Sequence, residues 1–110
     1  MVTRTITNSG DPLMDAAGNI RAGARVTFTL LKDGFDTETG EYIYALPVVV
    51  QTDAAGIFSV DLWPTDRGPD GNAYLCQIDS GRTFQKPLPT GTTIQWKDLD
   101  RKSTRLHSSH

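Results

Sequence analysis

The chain has 110 residues, 37% of them hydrophobic and 22% charged, which is enough for one globular domain with a modest core. Eleven Lys and Arg residues against thirteen Asp and Glu residues leave a net charge of −2, which argues against nucleic acid and anionic membranes as partners. No apolar run approaches the roughly 20 residues of a membrane span. Residues 1–10 lack the apolar centre of a signal peptide, so we expect synthesis in the cytoplasm without a secretion signal.

The first strand is predicted at residues 2–7, VTRTIT, where the chain alternates and is rich in β-branched side chains. Residues 8–23 are crowded with Asn, Asp, Gly and Pro, which predicts a loop with turns. Residues 24–32, ARVTFTLLK, alternate again and predict the second strand. The apolar face of this strand consists of Val26, Phe28 and Leu30.

A polar loop is predicted at residues 33–42, ahead of an apolar, β-branched stretch at residues 42–52. Pro47 interrupts that stretch, and proline cannot donate to a strand ladder. The stretch is therefore predicted to be an edge strand, or two short strands divided at Pro47. Residues 53–56, DAAG, predict a turn.

The next strand is predicted at residues 57–63, and its alternation puts Trp63 on the face opposite the apolar residues. Those apolar residues are Phe58, Val60 and Leu62. Residues 64–72 predict another loop, and residues 73–79 predict a strand. One face of that strand consists of Tyr74, Cys76 and Ile78.

The chain continues with Ser80 and Gly81, which predict a two-residue hairpin turn. A return strand at residues 82–88 and a last strand at residues 92–97 follow. About seven short strands, with no helical pattern longer than one turn, predict an all-β protein. We expect an antiparallel β-sandwich with Greek-key wiring, prealbumin-like or Ig-like, with a small closed barrel as the alternative.

The end of the chain differs in character from the rest. RKSTRLHSSH, residues 101–110, contains both histidines and three of the eleven basic residues, with Leu106 as its one apolar residue. With Asp100 it resembles the translated sequencing-adaptor read-through found at the ends of reading frames from unfinished assemblies. We therefore expect a metagenomic fragment with one β-sandwich domain over residues 1–99 and a disordered, artefactual tail over residues 100–110.

Few side chains offer catalytic or metal chemistry. Cys76, the only cysteine, is predicted to be a small buried hydrophobe, since a nucleophilic cysteine needs a histidine partner and both histidines lie in the tail. The acids around Asp33 and Asp66 lack the spacing of a calcium loop and are predicted to be solvated turn residues. Asp61 is the one acid in mid-strand, so a carboxylate pair for hydrolysis is not expected. We expect no enzyme activity, no cofactor and no metal.

Two turns that precede strands carry a family pattern. DAAGNIRAGARVTFTL at residues 15–30 and TDAAGIFSVDL at residues 52–62 each place an Asp-x-x-Gly turn before an alternating strand. The pair resembles the prealbumin-like, carboxypeptidase-regulatory type of β-sandwich, although Ile20 stands where that family often has proline. In such turns Asp caps the backbone and Gly takes a positive φ. The residues of the pattern are Asp15, Gly18, Gly23, Ala24, Val26, Thr52, Asp53, Gly56 and Phe58.

A more specific resemblance lies in TDAAGIFSVDLWPTDRGPDGNAYLCQI, residues 52–78. This stretch is similar to a module of bacteriophage tail fibres and related virion proteins, most specifically in the run from Asp61 to Gly68. The resemblance implies a non-catalytic structural or attachment module of a virion appendage. It also implies other virion proteins as partners and a homo-oligomer in the full-length chain.

The run Trp63–Gly68, WPTDRG, is the candidate site. Trp63 either is exposed, to stack on a sugar or a partner, or covers the open end of the sandwich. Pro64 is predicted to end the strand, because it has no N–H. Asp66 and Arg67 are predicted to order the loop, with Arg67 forking onto carbonyls or a carboxylate. The residues assigned to the structural motif are Asp53, Gly56, Pro64, Asp66, Arg67 and Gly68.

Two further function classes compete with the virion module. The first is a carbohydrate-binding module whose stacking rings would be Trp63, Trp96, Tyr42 and Tyr44. It requires both tryptophan rings to be exposed in one groove. The second is an accessory β-sandwich domain of a bacterial surface protein or enzyme.

Overall fold

The computed structural model describes residues 1–69, 71–81, 83–96 and 98, so the predicted tail at residues 100–110 lies outside the described residues. Within that part the chain forms nine short strands and one 3₁₀ turn at Thr65–Arg67. The strands in chain order are β1 (Arg4–Thr7), β2 (Arg25–Leu30), β3 (Gly34–Phe35), β4 (Tyr42–Ile43), β5 (Val48–Gln51), β6 (Ser59–Leu62), β7 (Tyr74–Ile78), β8 (Phe84–Lys86) and β9 (Thr93–Gln95).

The strands form two larger sheets and one small hairpin. The first sheet has the order β6-β1-β9, with β1 antiparallel to β6 and parallel to β9. The second has the order β5-β2-β7-β8 and is antiparallel throughout, and β3 pairs with β4. The protein is all-β, as predicted, and two sheets with open edges are consistent with a β-sandwich rather than a closed barrel. Greek-key wiring and the prealbumin-like family stay predictions.

The core combines apolar side chains from both larger sheets. Phe28 of β2 and Phe58, next to β6, have ring centroids 6.1 Å apart. The Trp96 ring lies edge-on to both, at 5.8 and 5.7 Å, in the geometry that aromatic pairs favour. The buried members of the core are Ile6, Val26, Phe28, Leu30, Phe58, Val60, Leu62, Trp63, Tyr74, Cys76, Leu88 and Ile94. The predicted inward faces of residues 24–32 and 57–63 are confirmed.

The division of the apolar stretch at Pro47 is also confirmed. β4 precedes Pro47, β5 follows it, and β5 lies at the edge of its sheet. The loop predicted at residues 33–42 is wrong in part, because Gly34 pairs with Ile43 and Phe35 pairs with Tyr42. Local composition does not reveal this β3–β4 hairpin, since contacts with residues some thirty positions away hold it in place.

The Asp-x-x-Gly turns have the geometry that their sequences predict. Oδ1 of Asp53 accepts the N–H groups of Ala55 and Ile57 at 2.9 and 3.1 Å, and Gly56 has φ 76°. An L side chain rarely takes that conformation, which explains the glycine. The same arrangement occurs at Asp15, Ala17, Asn19 and Gly18.

Candidate functional site

Trp63 is buried at the point where the chain leaves β6. Only 2% of its surface is exposed. Its ring packs closely against two glycines: a Cβ atom added to Gly34 would lie 2.6 Å from Cζ3, and one added to Gly68 would lie 2.7 Å from Cη2. Neither glycine can carry a side chain while the indole ring stays in place. Of the two roles considered for Trp63, the buried one is therefore correct.

Asp36 and Arg67 form a buried ion pair next to this ring. The Nε and Nη2 atoms of Arg67 donate to Oδ2 and Oδ1 of Asp36 at 2.7 and 3.2 Å, which is the two-pronged arginine–carboxylate arrangement. The Asp36 side chain is fully buried, and that of Arg67 is 11% exposed. The Arg67 guanidinium holds the pKa of Asp36 well below its ordinary value. The predicted contact of Arg67 with a carboxylate is confirmed.

Three further donors complete the environment of the Asp36 carboxylate. Nε1 of Trp63 donates to Oδ2 at 3.0 Å, and the N–H groups of Glu38 and Thr39 donate to Oδ1 at 3.0 Å each. With the two contacts of Arg67, both oxygen atoms are fully satisfied, so burial of this charge is compensated. The carboxylate thereby connects the β3–β4 hairpin to the chain that follows β6.

Two residues of the 3₁₀ turn connect the exit from β6 to the segment before β9. Oδ2 and Oδ1 of Asp66 accept the backbone N–H and the hydroxyl of Thr90 at 2.9 and 2.6 Å. The N–H of Thr65 donates to the carbonyl of Leu88 at 2.8 Å, and the N–H of Leu88 donates to the Thr65 hydroxyl at 3.0 Å. Asp66 therefore orders the loop, as predicted.

The WPTDRG motif (Trp63–Gly68) is thus a structural junction rather than an open site. The sequence identifies Asp66 and Arg67 but does not assign Asp36, which is the partner of Arg67. Asp36 is one of the acids near Asp33 that are predicted to be solvated turn residues. That expectation is wrong for Asp36, because it is fully buried. No local signal marks it, since Arg67 lies 31 positions along the chain.

The four aromatic rings predicted to stack on a sugar do not form one surface. They are those of Trp63, Trp96, Tyr42 and Tyr44. Trp63 offers no face to a ligand, so its assignment to a sugar site is wrong. The β1–β6 pairing ends at Leu62, and beyond that point strand alternation no longer decides where a side chain points. Trp96 is half-buried and packs on Phe28 and Phe58.

Tyr42 and Tyr44 are the members of that set that lie at the surface. Their ring centroids are 5.1 Å apart, with ring planes inclined by 63°. The Tyr42 hydroxyl donates to Oδ2 of Asp33 at 2.7 Å, and Oδ1 of Asp33 accepts the N–H of Ala45 at 2.7 Å. These bonds order the chain between β4 and β5.

A row of exposed apolar side chains follows the same part of the chain. Tyr44 and Leu46 are 69% and 68% exposed, which is high for large apolar side chains. Phe35, directly opposite Tyr42 in the β3–β4 hairpin, extends this row. We call it the apolar edge surface, and its members are Phe35, Tyr42, Tyr44, Leu46, Val48 and Val49.

The remaining reactive groups lie apart from this surface. Cys76 is buried, as predicted, and burial raises the pKa of its thiol to about 12. In the described part of the chain, no cluster of three or more His, Cys, Asp or Glu side chains is placed to hold a metal ion. The same residues include no helix with the length and apolar character needed to cross a membrane.

Comparison with protein-family models and with curated proteins finds no match for this chain.

Proposed function

We propose that the chain is a non-catalytic structural or attachment module of a bacteriophage tail fibre or a related virion appendage, and that it works through its surface. The observation that carries this proposal is the apolar edge surface. Within it the rings of Tyr42 and Tyr44 are in contact and Phe35 lies opposite Tyr42. Exposed apolar side chains that adjoin one another in this way on a small domain mark places where another protein binds. The resemblance of residues 52–78 to virion modules supplies the class of assembly.

The WPTDRG motif, in which Trp63, Pro64 and Thr65 are buried, supports the same proposal. Its charged residues Asp66 and Arg67 are occupied by contacts with Thr90 and Asp36. The contact between Arg67 and Asp36 holds the β3–β4 hairpin, which carries Phe35 and Tyr42, against the chain that follows β6. A preorganised surface loses less conformational entropy on binding than a mobile one. The most specific part of the resemblance, the run from Asp61 to Gly68, therefore supports binding through the surface rather than catalysis.

Long-read sequencing of the source DNA through the end of the coding region tests the proposed function. We expect the reading frame to continue into fibre or appendage sequence, with genes for other tail proteins on either side. A continuation into a peptidase, or a secretion signal upstream, would overturn the virion module in favour of the accessory domain of a surface protein or enzyme.

Carbohydrate binding in a groove of both tryptophans fails, because Trp63 is buried. The second candidate is therefore a reduced form of it, which would rest on Tyr42 and Tyr44 alone. Their inclined planes allow one of the two rings to lie flat against a sugar. Calorimetric titration with a panel of bacterial polysaccharides, using the wild type and Tyr44→Ala, tests it. A titration signal that Tyr44→Ala abolishes would favour this candidate over a purely structural module.

A further inference from the structure

β5 differs from the other edge strands of the two larger sheets. An edge strand presents unpaired N–H and C=O groups, which proteins commonly protect with charged side chains. Among the four edges that the structure describes, β6 carries Asp61 and β8 carries Lys86. β9 has threonine and glutamine on either side of Ile94. β5 and β9 both lack a charge, but β5 has the sequence VVVQ and is the one of the two that exposes apolar side chains, those of Val48 and Val49.

The backbone of β2 shows which way its polar groups point. The N–H of Asp79 donates to the carbonyl of Arg25 at 2.7 Å, at one end of the β2–β7 pairing. At the other end, the N–H of Leu31 donates to the carbonyl of Ala73 at 3.0 Å. The odd-numbered residues of β2 therefore direct their backbone groups towards β7, and the even-numbered residues direct theirs towards β5.

The free groups of β5 follow from that alternation. Val26 of β2 lies opposite Val50, so Val50 directs its N–H and C=O towards β2. Its neighbours Val49 and Gln51 must direct theirs away from β2. No described residue forms a backbone hydrogen bond with that outer side. On its outer side β5 therefore offers two residues, Val49 and Gln51. Each of them has one unpaired N–H donor and one unpaired C=O acceptor.

The distribution of charge favours a second copy of the chain as the partner of this edge. The chain contains thirteen Asp and Glu against eleven Lys and Arg, a net charge of −2, and residues 1–100 alone have 8 − 13 = −5. Two copies that share a net negative charge repel each other on average. Residues 42–52, YIYALPVVVQT, contain no charged side chain, so two copies can approach there without that repulsion.

We propose that two copies of this chain pair antiparallel along β5 about a two-fold axis at Val50. Val49 of each copy then lies opposite Gln51 of the other, and the two pairs exchange four backbone hydrogen bonds. The two four-stranded sheets join into one of eight strands. Tyr44 and Leu46, which lead into β5, lose part of their exposure to water. This inference rests on the proposed role as an interaction module and names its partner.

Sedimentation velocity of the purified chain, over protein concentrations from about 10 μM to about 1 mM, tests the pairing. A short edge makes a small interface, so we expect a monomer at the low end and an increasing dimer fraction above it. A protein that stays monomeric over the whole concentration range would overturn the pairing. In that case the β5 edge either binds a different protein or stays free.

Three variants test whether β5 is the edge used. Val49→Lys puts a charge on the edge, and Val49→Pro removes the outward N–H without adding charge. Ser59→Lys is the control, since it adds the same charge to an exposed position of β6. We expect at least a tenfold weaker dimer in both Val49 variants and an unchanged dimer in Ser59→Lys. Circular dichroism and thermal unfolding verify that each variant is folded.

The outcomes separate this inference from the proposed function. A dimer that resists both Val49 variants, or that Ser59→Lys weakens equally, would place the contact elsewhere and overturn the β5 pairing. A monomer encoded within a tail-fibre gene would overturn the pairing and leave the proposed function intact. A β5 dimer encoded as part of an enzyme would support the pairing and overturn the proposed function.

Discussion

At the scale of single residues, one oxygen atom connects two distant parts of the chain. Oδ2 of Asp36 accepts a hydrogen bond from Trp63 at 3.0 Å and another from Arg67 at 2.7 Å. The aspartate belongs to the β3–β4 hairpin, and its two donors belong to the chain after β6. The position of the indole ring in turn depends on Gly34 and Gly68, which leave room for it.

Gly68→Ala is expected to destabilise the protein by about 1–3 kcal/mol, the usual cost of inserting a methyl group into a packed site. Its Cβ would lie 2.7 Å from Trp63 Cη2 and 2.9 Å from the carbonyl oxygen of Phe35, and neither can move without disturbing the hairpin. Urea denaturation measures the change in the free energy of unfolding.

Gly91→Ala is the matched control for that substitution. Its Cβ would lie 2.6 Å from Cζ of Arg4, at the far end of a flexible side chain rather than against backbone or a buried ring. Moving that end away costs at most its hydrogen bonds to the carbonyls of Pro89 and Thr93, of which the first is part-buried and the second exposed. We expect its stability to remain within about 1 kcal/mol of the wild type. Equal losses in the two variants would contradict the specific role of the Trp63 contact.

Asp36→Asn is expected to make stability less dependent on pH in acid. The wild-type carboxylate has a pKa below its ordinary value of 3.8 because Arg67 stabilises the charged form. Its contribution is therefore present above that ordinary value and is lost as the pH falls through the lowered one. The variant should be less stable near pH 7 and should lose less stability between about pH 4 and pH 2.

Urea denaturation across that pH range measures this effect, with Asp15→Asn as the control. Hydrogen bonds from Asn19 and Ala17 also lower the pKa of Asp15, but that side chain is exposed and lies in a different turn. We expect a smaller change of slope in the control. Parallel pH profiles for the wild type and Asp36→Asn would show that the ion pair does not contribute as described.

At the scale of elements, β7 supports the exit from β6. The buried hydroxyl of Tyr74 donates to the backbone carbonyl of Trp63 at 2.7 Å. Burial raises the pKa of Tyr74, so the hydroxyl keeps its proton and stays a donor. The β1–β6 pairing ends at Leu62, so the carbonyl of Trp63 has no strand partner there and accepts the Tyr74 hydroxyl instead.

Tyr74→Phe is expected to lower the free energy of unfolding by about 1–3 kcal/mol, because it leaves a buried carbonyl without its donor. Thermal and urea denaturation measure the loss. Tyr44→Phe is the control, since it removes the same atom from an exposed ring and should stay within about 0.5 kcal/mol of the wild type. A loss of similar size in both variants would contradict the role of the bond.

Elements with strict alternation were the easiest to predict. β2 and β6 lie inside the predicted strands, and their apolar residues are buried. Pro47 correctly predicted a break and an edge strand, because proline lacks the donor that an inner strand needs. The β3–β4 hairpin was missed, because two-residue strands have no periodicity to detect.

At the scale of the whole molecule, one core joins both larger sheets, and Cys76 lies within it. It is the only cysteine of the chain, so its thiol reports on opening of the core without interference. The reactive form of a cysteine is the thiolate, and burial raises the pKa of this thiol to about 12.

Labelling with iodoacetamide near pH 8 should therefore be slow in the folded protein and fast in urea, where cysteine regains an ordinary pKa of about 8.5. The labelling rate is expected to follow the unfolded fraction measured by circular dichroism across the urea transition. Rapid labelling with an unchanged dichroism spectrum would show that the core opens locally at β7.

The candidate site was only partly predictable. Arg67 and Asp66 were expected to order the loop, because charged residues after a strand-ending proline commonly bond nearby groups. The sequence is compatible with both an exposed and a buried Trp63, and the burial of its ring depends on glycines in two separate segments. No pattern within residues 57–68 contains that information.

By itself, the sequence determined the class of the protein and most of its strands, because alternation, turn glycines and proline act through the local backbone. It also determined that residues 42–52 are apolar and uncharged. Only the tertiary structure decided that Asp36 is buried against Arg67 and Trp63, and that β5 lies at an edge with its outer side unpaired. The reason is physical: burial and pairing depend on which distant segments come together, and the spacing of residues along one segment does not encode that.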